Sequence, residues 1–203
     1  MRFVRYQTEE KSARYGWLLE KKIGDIEGDL FGEFRRLDAT LPLEEATLLA
    51  PCEPSKIICV GRNYAAHAKE HNAEVPEIPL IFLKPPSTII NPGDAIILPP
   101  QSQQVEHEGE LVIVIGKRGR NIIAEEAKDH VLGYTIGNDV TARDLQNADR
   151  LWTRGKGFDT FAPFGPWIDT EFDPSDAVLT CRVNGQMRQM ASTRDMVFSV
   201  GTI

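Results

Sequence analysis

The chain has 203 residues, a formal net charge of −7 and 41% hydrophobic residues. These values fit one globular domain, or one domain with a small appendage, and exclude a fibrous or wholly disordered chain. Because there is no surplus of Lys and Arg to neutralise phosphates, neither nucleic acid nor an anionic membrane is an expected partner. Cys52, Cys59 and Cys181 form no Cys-x-x-Cys pair, and we find neither a signal core nor a membrane-spanning run. We therefore expect reduced thiols in a cytoplasmic protein.

The first part of the chain, residues 1–52, predicts a small N-terminal β domain. Short runs in which apolar and polar residues alternate are separated by Gly24, Gly28 and Gly32, a pattern typical of antiparallel strands with tight turns. Pro51 and Pro54 bracket a predicted linker to a second unit.

The second unit, residues 53–203, predicts more strands than helices, and so an α+β fold that is mainly β. The run at 56–60 reads as a buried strand and the run at 80–83 as a further strand. Leu111–Ile115 is apolar at every position, which predicts a central strand followed by a hairpin turn at 116–119. Residues 124–131 predict a helix. Asn184-Gly185 predicts a tight hairpin.

Three acidic residues precede the run at 111–115. Since side chains two apart in a strand share a face, Glu106, Glu108 and Glu110 align with the interior positions of that strand. Adjacent buried carboxylates repel one another, and Mg²⁺ or Ca²⁺ would relieve both the repulsion and the cost of burial. The alternative is that the start of the strand is solvated and the glutamates face water.

A further carboxylate, Asp139, lies where a predicted strand gives way to a turn or helix. With Glu108 and Glu110 it predicts a three-carboxylate metal site that leaves positions for water and a chelating substrate. Alternatively, Asp139 caps a helix and pairs with Arg143 on the surface.

His67 and Glu70 are three residues apart in a predicted short helix at 64–72, so they share one face. A carboxylate beside an imidazole raises its basicity, which suits a general base. Two alternatives stay open, a plain polar helix face and the His-x-x-Glu-His zinc-peptidase pattern, in which His67 and His71 would bind zinc and Glu70 would act as the base.

Lys156 lies between Gly155 and Gly157 in a Gly/Pro/aromatic stretch at 153–167, for which little regular structure is expected. Its backbone freedom would let the lysine reach a pocket and meet an oxyanion or enolate. The alternative is a flexible surface loop with a solvated lysine.

Taken together, these segments resemble the fumarylacetoacetate hydrolase family. The matching stretches, which run in order along residues 54–203, are GRNYAAHAKE at 61–70, FLKPPS at 82–87, HEGELVIVIG at 107–116, GYTIGNDVTARDLQ at 133–146, RGKGFDTFAPFGPW at 154–167 and VNGQMRQ at 183–189. The first 50 or so residues resemble the small N-terminal β domain of many bacterial and archaeal members. The resemblance implies a mixed β-roll fold and a homodimer.

The resemblance also implies a role for individual residues. It implies a divalent metal, Mg²⁺ or Mn²⁺, on Glu108, Glu110 and Asp139, whereas Glu106 lies outside the matched motif. Other positions would act on the substrate: His67 and Glu70 as a catalytic dyad, Lys156 as the active-site lysine, and Arg62, Tyr64, Arg143 and Gln146 as substrate-binding residues or their support.

The activity that follows is that of a metal-dependent enzyme acting on small 2-oxo acids. Such an acid can chelate the cation, which would stabilise the enolate formed when a neighbouring bond breaks. We expect C–C hydrolysis or decarboxylation of an acylpyruvate, fumarylpyruvate or oxaloacetate type of substrate. The alternatives are an isomerase of the 2-hydroxyhepta-2,4-diene-1,7-dioate type in aromatic catabolism, and a non-catalytic binding module.

The sequence stops four residues after Ser199, a residue suited to cap a helix. Members of the resembled family continue with that helix and a Thr-Gly-Thr-Pro pattern, which supplies a further active-site threonine. We therefore expect a shortened form or a fragment in which the binding module is a real alternative to the enzyme.

Overall fold

The computed structural model describes residues 1–9, 12–65 and 74–203. Its strands are β1 (Arg2–Gln7), β2 (Arg14–Leu19), β3 (Lys22–Gly28), β4 (Phe34–Pro42), β5 (Thr47–Leu49), β6 (Ile57–Gly61), β7 (Leu80–Lys84), β8 (Val105–Glu106), β9 (Gly109–Ile115), β10 (Val131–Asn138), β11 (Thr141–Ala142), β12 (Phe164–Asp169), β13 (Val178–Val183) and β14 (Gln186–Ser192). The α-helices of this part are α1 (Arg143–Ala148) and α2 (Thr153–Lys156), and 3-10 turns lie at Leu43–Glu45, Pro86–Thr88, Ala124–His130 and Thr193–Asp195. This mainly β architecture confirms the predicted fold class.

One antiparallel sheet joins the two parts of the sequence. Its strand order is β4-β3-β2-β1-β12-β10-β9. Strand β5 also pairs with β1, at residues 5–7, beyond the residues of β1 that pair with β12. Strand β1 is the junction, because Phe3 pairs with Trp17 of β2 on one side and with Ile168 of β12 on the other. The N-terminal strands therefore extend the sheet that carries β9 and β10.

The main apolar core also draws on both parts of the sequence. Phe3, Leu30 and Cys52 are buried together with Val114 and Ile168. Burial of these side chains provides the hydrophobic stabilisation that holds β1 against β12. The domain boundary at residue 52 stays a prediction. The continuous sheet and the shared core show that the segments before and after it pack closely together.

The described residues also form three short two-stranded sheets, which pair β6 with β7, β8 with β11, and β13 with β14. The Asn184-Gly185 hairpin is confirmed, since Val183 pairs with Gln186 and the two turn residues have φ values of 51° and 78°. Two successive positive φ angles match the right-handed twist of the strands, which is why Asn-Gly is favoured there.

Two strand predictions were wrong about burial. Strand β9 lies at the edge of the large sheet rather than at its centre, and Ile115 is 60% exposed. In β6, Ile58 is 57% exposed, so this strand is not buried on both faces. An apolar run specifies a strand, but which neighbours cover its faces depends on tertiary contacts.

Two connections also differ from expectation. The link from β9 to β10 is no tight hairpin at 116–119, since it runs from 116 to 130 and includes the 3-10 turn Ala124–His130 where a helix was predicted. The stretch 153–167, expected to be irregular, begins with α2 and ends in β12. Gly155 has a weak helix propensity, but it packs closely against α1, where a Cβ added to it would be 2.8 Å from the Gln146 nitrogen. Tertiary packing therefore outweighs the local propensity at this position.

Within the described ranges, every helix is too short or too polar to cross a membrane.

Candidate active site

Strands β9 and β10 bring two of the predicted carboxylates together. Glu110 pairs with Gly137 in the β9–β10 ladder, and just beyond the ladder the Asp139 nitrogen donates to the Glu108 carbonyl at 2.8 Å. The Glu108 nitrogen donates in turn to the Asn138 side-chain oxygen at 3.0 Å. These backbone bonds fix Glu108 and Asp139 side by side, where β10 ends.

Lys156 binds both of these carboxylates. Its Nζ donates to Glu108 Oε2 at 2.8 Å and to Asp139 Oδ2 at 2.7 Å, and its side chain is buried. It reaches them from α2, which packs tightly on α1 at Gly155. The solvated-lysine alternative is therefore wrong for this residue, and the helical turn rather than loop freedom brings the lysine into the site.

Lys84 is a second buried lysine of the site, and the sequence reasoning did not single it out. From the end of β7, its Nζ donates to Asp139 Oδ1 at 2.5 Å and to the Val140 carbonyl at 3.1 Å. Only 2% of the residue is exposed. The signal was the FLKPPS stretch, in which Phe82 and Lys84 share the face opposite the exposed Ile81 and Leu83.

Arg143 holds the other side of Glu108. Its Nη2 donates to Glu108 Oε1 at 2.7 Å, and its Nη1 donates to Gln146 Oε1 at 2.6 Å. Thr141, which is fully buried, donates from Oγ1 to the same Glu108 oxygen at 3.2 Å. The pairing of Asp139 with a surface Arg143 does not occur, because Arg143 is buried and turned toward Glu108 and Glu106.

The neighbouring glutamates Glu108 and Glu110 have opposite pKa shifts. Burial opposes ionisation of Glu108, but Lys156 and Arg143 outweigh it and lower the pKa of this carboxyl. Glu110 accepts no hydrogen bond from any described residue, and burial together with the charges of Glu108 and Asp139 raises its pKa to about 8. Although burial opposes its charge too, Lys156 has a raised pKa because of Asp139 and Glu108.

Two predicted substrate-binding residues lie on the segment after β6. The Arg62 guanidinium lies 5.8 Å from the centre of the Trp152 ring, and Arg62 has a positive φ of 60°. Tyr64 forms a β-bridge with Met196, and burial and the charge of Glu110 raise its pKa to about 12. Substrate contact by either residue stays a prediction.

The predicted dyad of His67 and Glu70 lies outside the described residues, as does His71 of the zinc-peptidase alternative. Their roles stay predictions.

The donor chemistry of the site fits a hard divalent cation. Glu108 and Asp139 converge on one point, where Lys156 already places a positive charge, and Glu110 adds a partly buried carboxylate without a hydrogen-bond donor among the described residues. In the described ranges no group of three or more His, Cys, Asp and Glu side chains is arranged to hold a metal ion directly. A cation at these three carboxylates would therefore share or displace the contacts of Lys156.

Comparison with known proteins identifies the family. A model described as fumarylacetoacetate (FAA) hydrolase C-terminal matches residues 56–203, and one described as Rv2993c-like, N-terminal, matches residues 1–51. The chain belongs to the fumarylacetoacetate hydrolase family. The range that this model matches contains all the carboxylates and both lysines described above.

Among relatives in this family, the mitochondrial oxaloacetate tautomerase FAHD2B of Bos taurus is 49% identical over 164 residues, which are 78% of this chain and 52% of that protein. A solved 2-hydroxyhepta-2,4-diene-1,7-dioate isomerase from Mycobacterium marinum is 41% identical with a TM-score of 0.90, covering 100% of this chain and 79% of that one. A maleylpyruvate hydrolase from Sphingobium sp. SYK-6, solved with manganese(II) and pyruvate, is 30% identical with a TM-score of 0.78, covering 100% and 80%. The chain spans between 52% and 68% of the curated relatives' own length.

Proposed function

We propose that this chain carries a divalent-metal-dependent enzyme site that acts on small 2-oxo acids or diacids through an enolate. The observation that carries the proposal is the convergence of Glu108 and Asp139 on one point, bridged by the buried Lys156, beside the Glu110 carboxylate, which accepts no hydrogen bond from any described residue. Buried charges of this density are costly for a fold and typical of functional sites.

Glu108, Glu110 and Asp139 would hold the cation, and Mg²⁺ or Mn²⁺ suits three carboxylates best, with Ca²⁺ a further possibility. A bound divalent cation would supply Lewis acidity to the oxygens of a 2-oxo acid. The manganese and pyruvate of the maleylpyruvate hydrolase support this choice of metal and substrate class.

The described residues would act on charge and orientation. The Lys156 ammonium binds both converging carboxylates. It would therefore lie close to the substrate oxygen on which the negative charge of the enolate develops. Lys84 would keep Asp139 in place, since it is bound at the same time to the Val140 carbonyl. Arg143 and Thr141 would fix one oxygen of Glu108 and leave the other to Lys156.

The first candidate reaction is C–C hydrolysis or decarboxylation, of an acylpyruvate, fumarylpyruvate or oxaloacetate. In hydrolysis His67, oriented by Glu70, would remove a proton from the attacking water. A second candidate is isomerisation or tautomerisation, in which the hydroxyl of an enol or dienol loses its proton, a carbon atom gains one, and the same imidazole would carry the proton between them. The 49% identical tautomerase and the 41% identical isomerase favour this second candidate.

Three further expectations are retained as proposals. They are a homodimer, a cytoplasmic location and a small-molecule 2-oxo acid as the partner. The three free thiols of Cys52, Cys59 and Cys181 support a reducing compartment.

A metal-supplemented substrate panel tests the proposal. Chelator-treated protein would be assayed with oxaloacetate, an acylpyruvate and a hydroxy-diene diacid, before and after addition of Mg²⁺ or Mn²⁺. We expect turnover of at least one substrate, only after the metal is added. Metal binding without turnover of any of them would favour the non-catalytic binding module, and turnover that resists both chelation and Glu108→Ala would contradict the metal assignment.

A further inference from the structure

Glu106 is connected to Glu108 through Arg143, although it lies one residue before the HEGELVIVIG stretch at 107–116. The Arg143 guanidinium uses all three of its nitrogens: Nε donates to Glu106 Oε2 at 2.9 Å, Nη1 to Gln146 Oε1 at 2.6 Å and Nη2 to Glu108 Oε1 at 2.7 Å. Arg143 is 6% exposed, so its orientation depends on these partners and not on water. The two glutamates thus bind different nitrogens of one buried guanidinium.

The backbone around Glu106 holds this arrangement in register. Strand β8 pairs with β11 so that Glu106 lies opposite Thr141, and the Arg143 nitrogen donates to the Gln104 carbonyl at 2.7 Å. The Gln104 side chain donates to Glu106 Oε1 at 2.6 Å. Each oxygen of Glu106 therefore accepts a hydrogen bond from a different side chain, which fixes the plane of this carboxylate.

We propose that Glu106 is a positioning residue, which fixes the Arg143 guanidinium on Glu108 and thereby sets the orientation of that carboxylate. The hydrogen bonds from Arg143 to Glu106 and Glu108 support the positioning role by themselves. Its consequence for cation binding rests on the proposed function, in which Glu108 is a metal ligand. Groups that orient a metal ligand from behind affect metal affinity or activity by about 10–100-fold.

Glu106 is well suited to a test because its side chain is 38% exposed. Glu106→Ala removes both the charge and the acceptor without opening a closed core, while Glu106→Gln keeps an acceptor for Arg143 Nε and loses the charge. The matched control is Glu27→Ala, which breaks the Glu27–Arg35 ion pair on the N-terminal strands β3 and β4.

The first readout needs no metal. In ¹⁵N-arginine-labelled protein the Nη resonances of Arg143, assigned by their loss in Arg143→Lys, should show the restricted rotation of a guanidinium bound on several sides. We expect Glu106→Ala to weaken this restriction, because the Nε contact is lost while those to Glu108 and Gln146 remain. Glu106→Gln should weaken it less, and Glu27→Ala should leave it unchanged. Unchanged Arg143 resonances in folded Glu106→Ala would overturn the proposal.

The second readout is Mn²⁺ binding followed by electron paramagnetic resonance. We expect Glu106→Ala to weaken Mn²⁺ binding by about 10-fold and Glu106→Gln to recover part of the loss. Because Glu106 acts through Arg143, the Glu106→Ala, Arg143→Met double variant should bind no more weakly than Arg143→Met alone. A full additional 10-fold loss in the double variant would overturn the proposal. If the wild-type chain binds no Mn²⁺ while the NMR result is as expected, the proposed function fails and the positioning role stands.

Discussion

The N-terminal strands and the candidate active site both contain several ion pairs, but they hold their charges in different surroundings. On β3 and β4, Glu27 and Arg35 form an ion pair with each other, and their side chains are 61% and 71% exposed. In the site, Lys84 and Asp139 form an ion pair with each other, and their side chains are 1% and 12% exposed. The first pair costs the fold little desolvation, whereas the second is almost completely removed from water.

This difference shows where the molecule accepts charge for reasons other than stability. Exposed pairs contribute about 0–1 kcal/mol, and the desolvation cost of a buried pair can exceed the attraction between its members. In each described ion pair of the N-terminal strands at least one side chain is 29% or more exposed, so this part of the sheet forms without a pair as buried as Lys84 and Asp139. The buried lysines and carboxylates around Asp139 are therefore best explained by the chemistry that they support.

The largest effect is expected from Lys84→Met. Removing one member of a buried pair leaves its partner uncompensated, so we expect the free energy of unfolding to fall by about 3 kcal/mol, even with Lys156 still on Asp139. Urea denaturation of the metal-free protein measures this change. The double variant Lys84→Met, Asp139→Asn should recover part of the loss, because neither charge is left unpaired. Equal stability of Lys84→Met and wild type would remove the distinction between the two regions.

A comparable effect on activity is expected from Glu108→Ala. Since Glu108 is proposed to bind the cation and contacts Lys156, its removal should lower metal-dependent turnover by at least about 10²-fold, more than loss of a group behind a ligand would. Steady-state kinetics with saturating Mg²⁺ measures the change. Glu125→Ala, on the exposed 3-10 turn before β10, is the control that should keep full activity.

A smaller effect of opposite sign is expected from Glu110→Gln in chelator-treated protein. The folded state holds a proton on Glu110 up to about pH 8, whereas the unfolded chain releases it near the ordinary pKa of 4.5. The wild type should therefore lose stability as pH rises between these values, and Glu110→Gln should be more stable at pH 8, by on the order of 2 kcal/mol.

Urea denaturation at pH 5, 6.5 and 8 measures this pH dependence. The advantage of Glu110→Gln should shrink toward pH 5, where both states of the wild type retain more of the proton. An advantage that is the same at all three pH values would show that a group other than the Glu110 carboxyl is responsible.

The smallest effect is expected from Glu27→Ala. Loss of an exposed ion pair should change the free energy of unfolding by no more than about 1 kcal/mol, and the change should shrink further at high salt. Denaturation at low salt and at 1 M NaCl measures both. A loss as large as that of Lys84→Met would contradict the contrast drawn between the two regions.

Local patterns in the sequence predicted several of these features. The Asn184-Gly185 hairpin follows from two residues that tolerate positive φ, and the carboxylates at 108, 110 and 139 follow from charge placed where apolar strands begin or end. The strand run at 80–83 was also predicted, because it needs only its own residues and the prolines that follow.

Other features depend on contacts that no local pattern contains. In the sequence, Lys84 is the polar residue that follows an apolar strand run. Its burial in the site depends on the tertiary contact with Asp139. Helix α2 forms despite Gly155 because this glycine allows a close approach to Gln146. Strand β9 was predicted to be central since it is apolar throughout, but no described strand continues the sheet beyond it.

The most direct test of the proposed site is an Mn²⁺ titration of chelator-treated protein, followed by electron paramagnetic resonance, for the wild type and for Asp139→Asn. The wild type should bind one Mn²⁺ per chain, and the variant should bind it at least about 100-fold more weakly, because it loses a carboxylate ligand. Equal binding by both proteins, or no binding by the folded wild type, would contradict a metal centre on Glu108, Glu110 and Asp139.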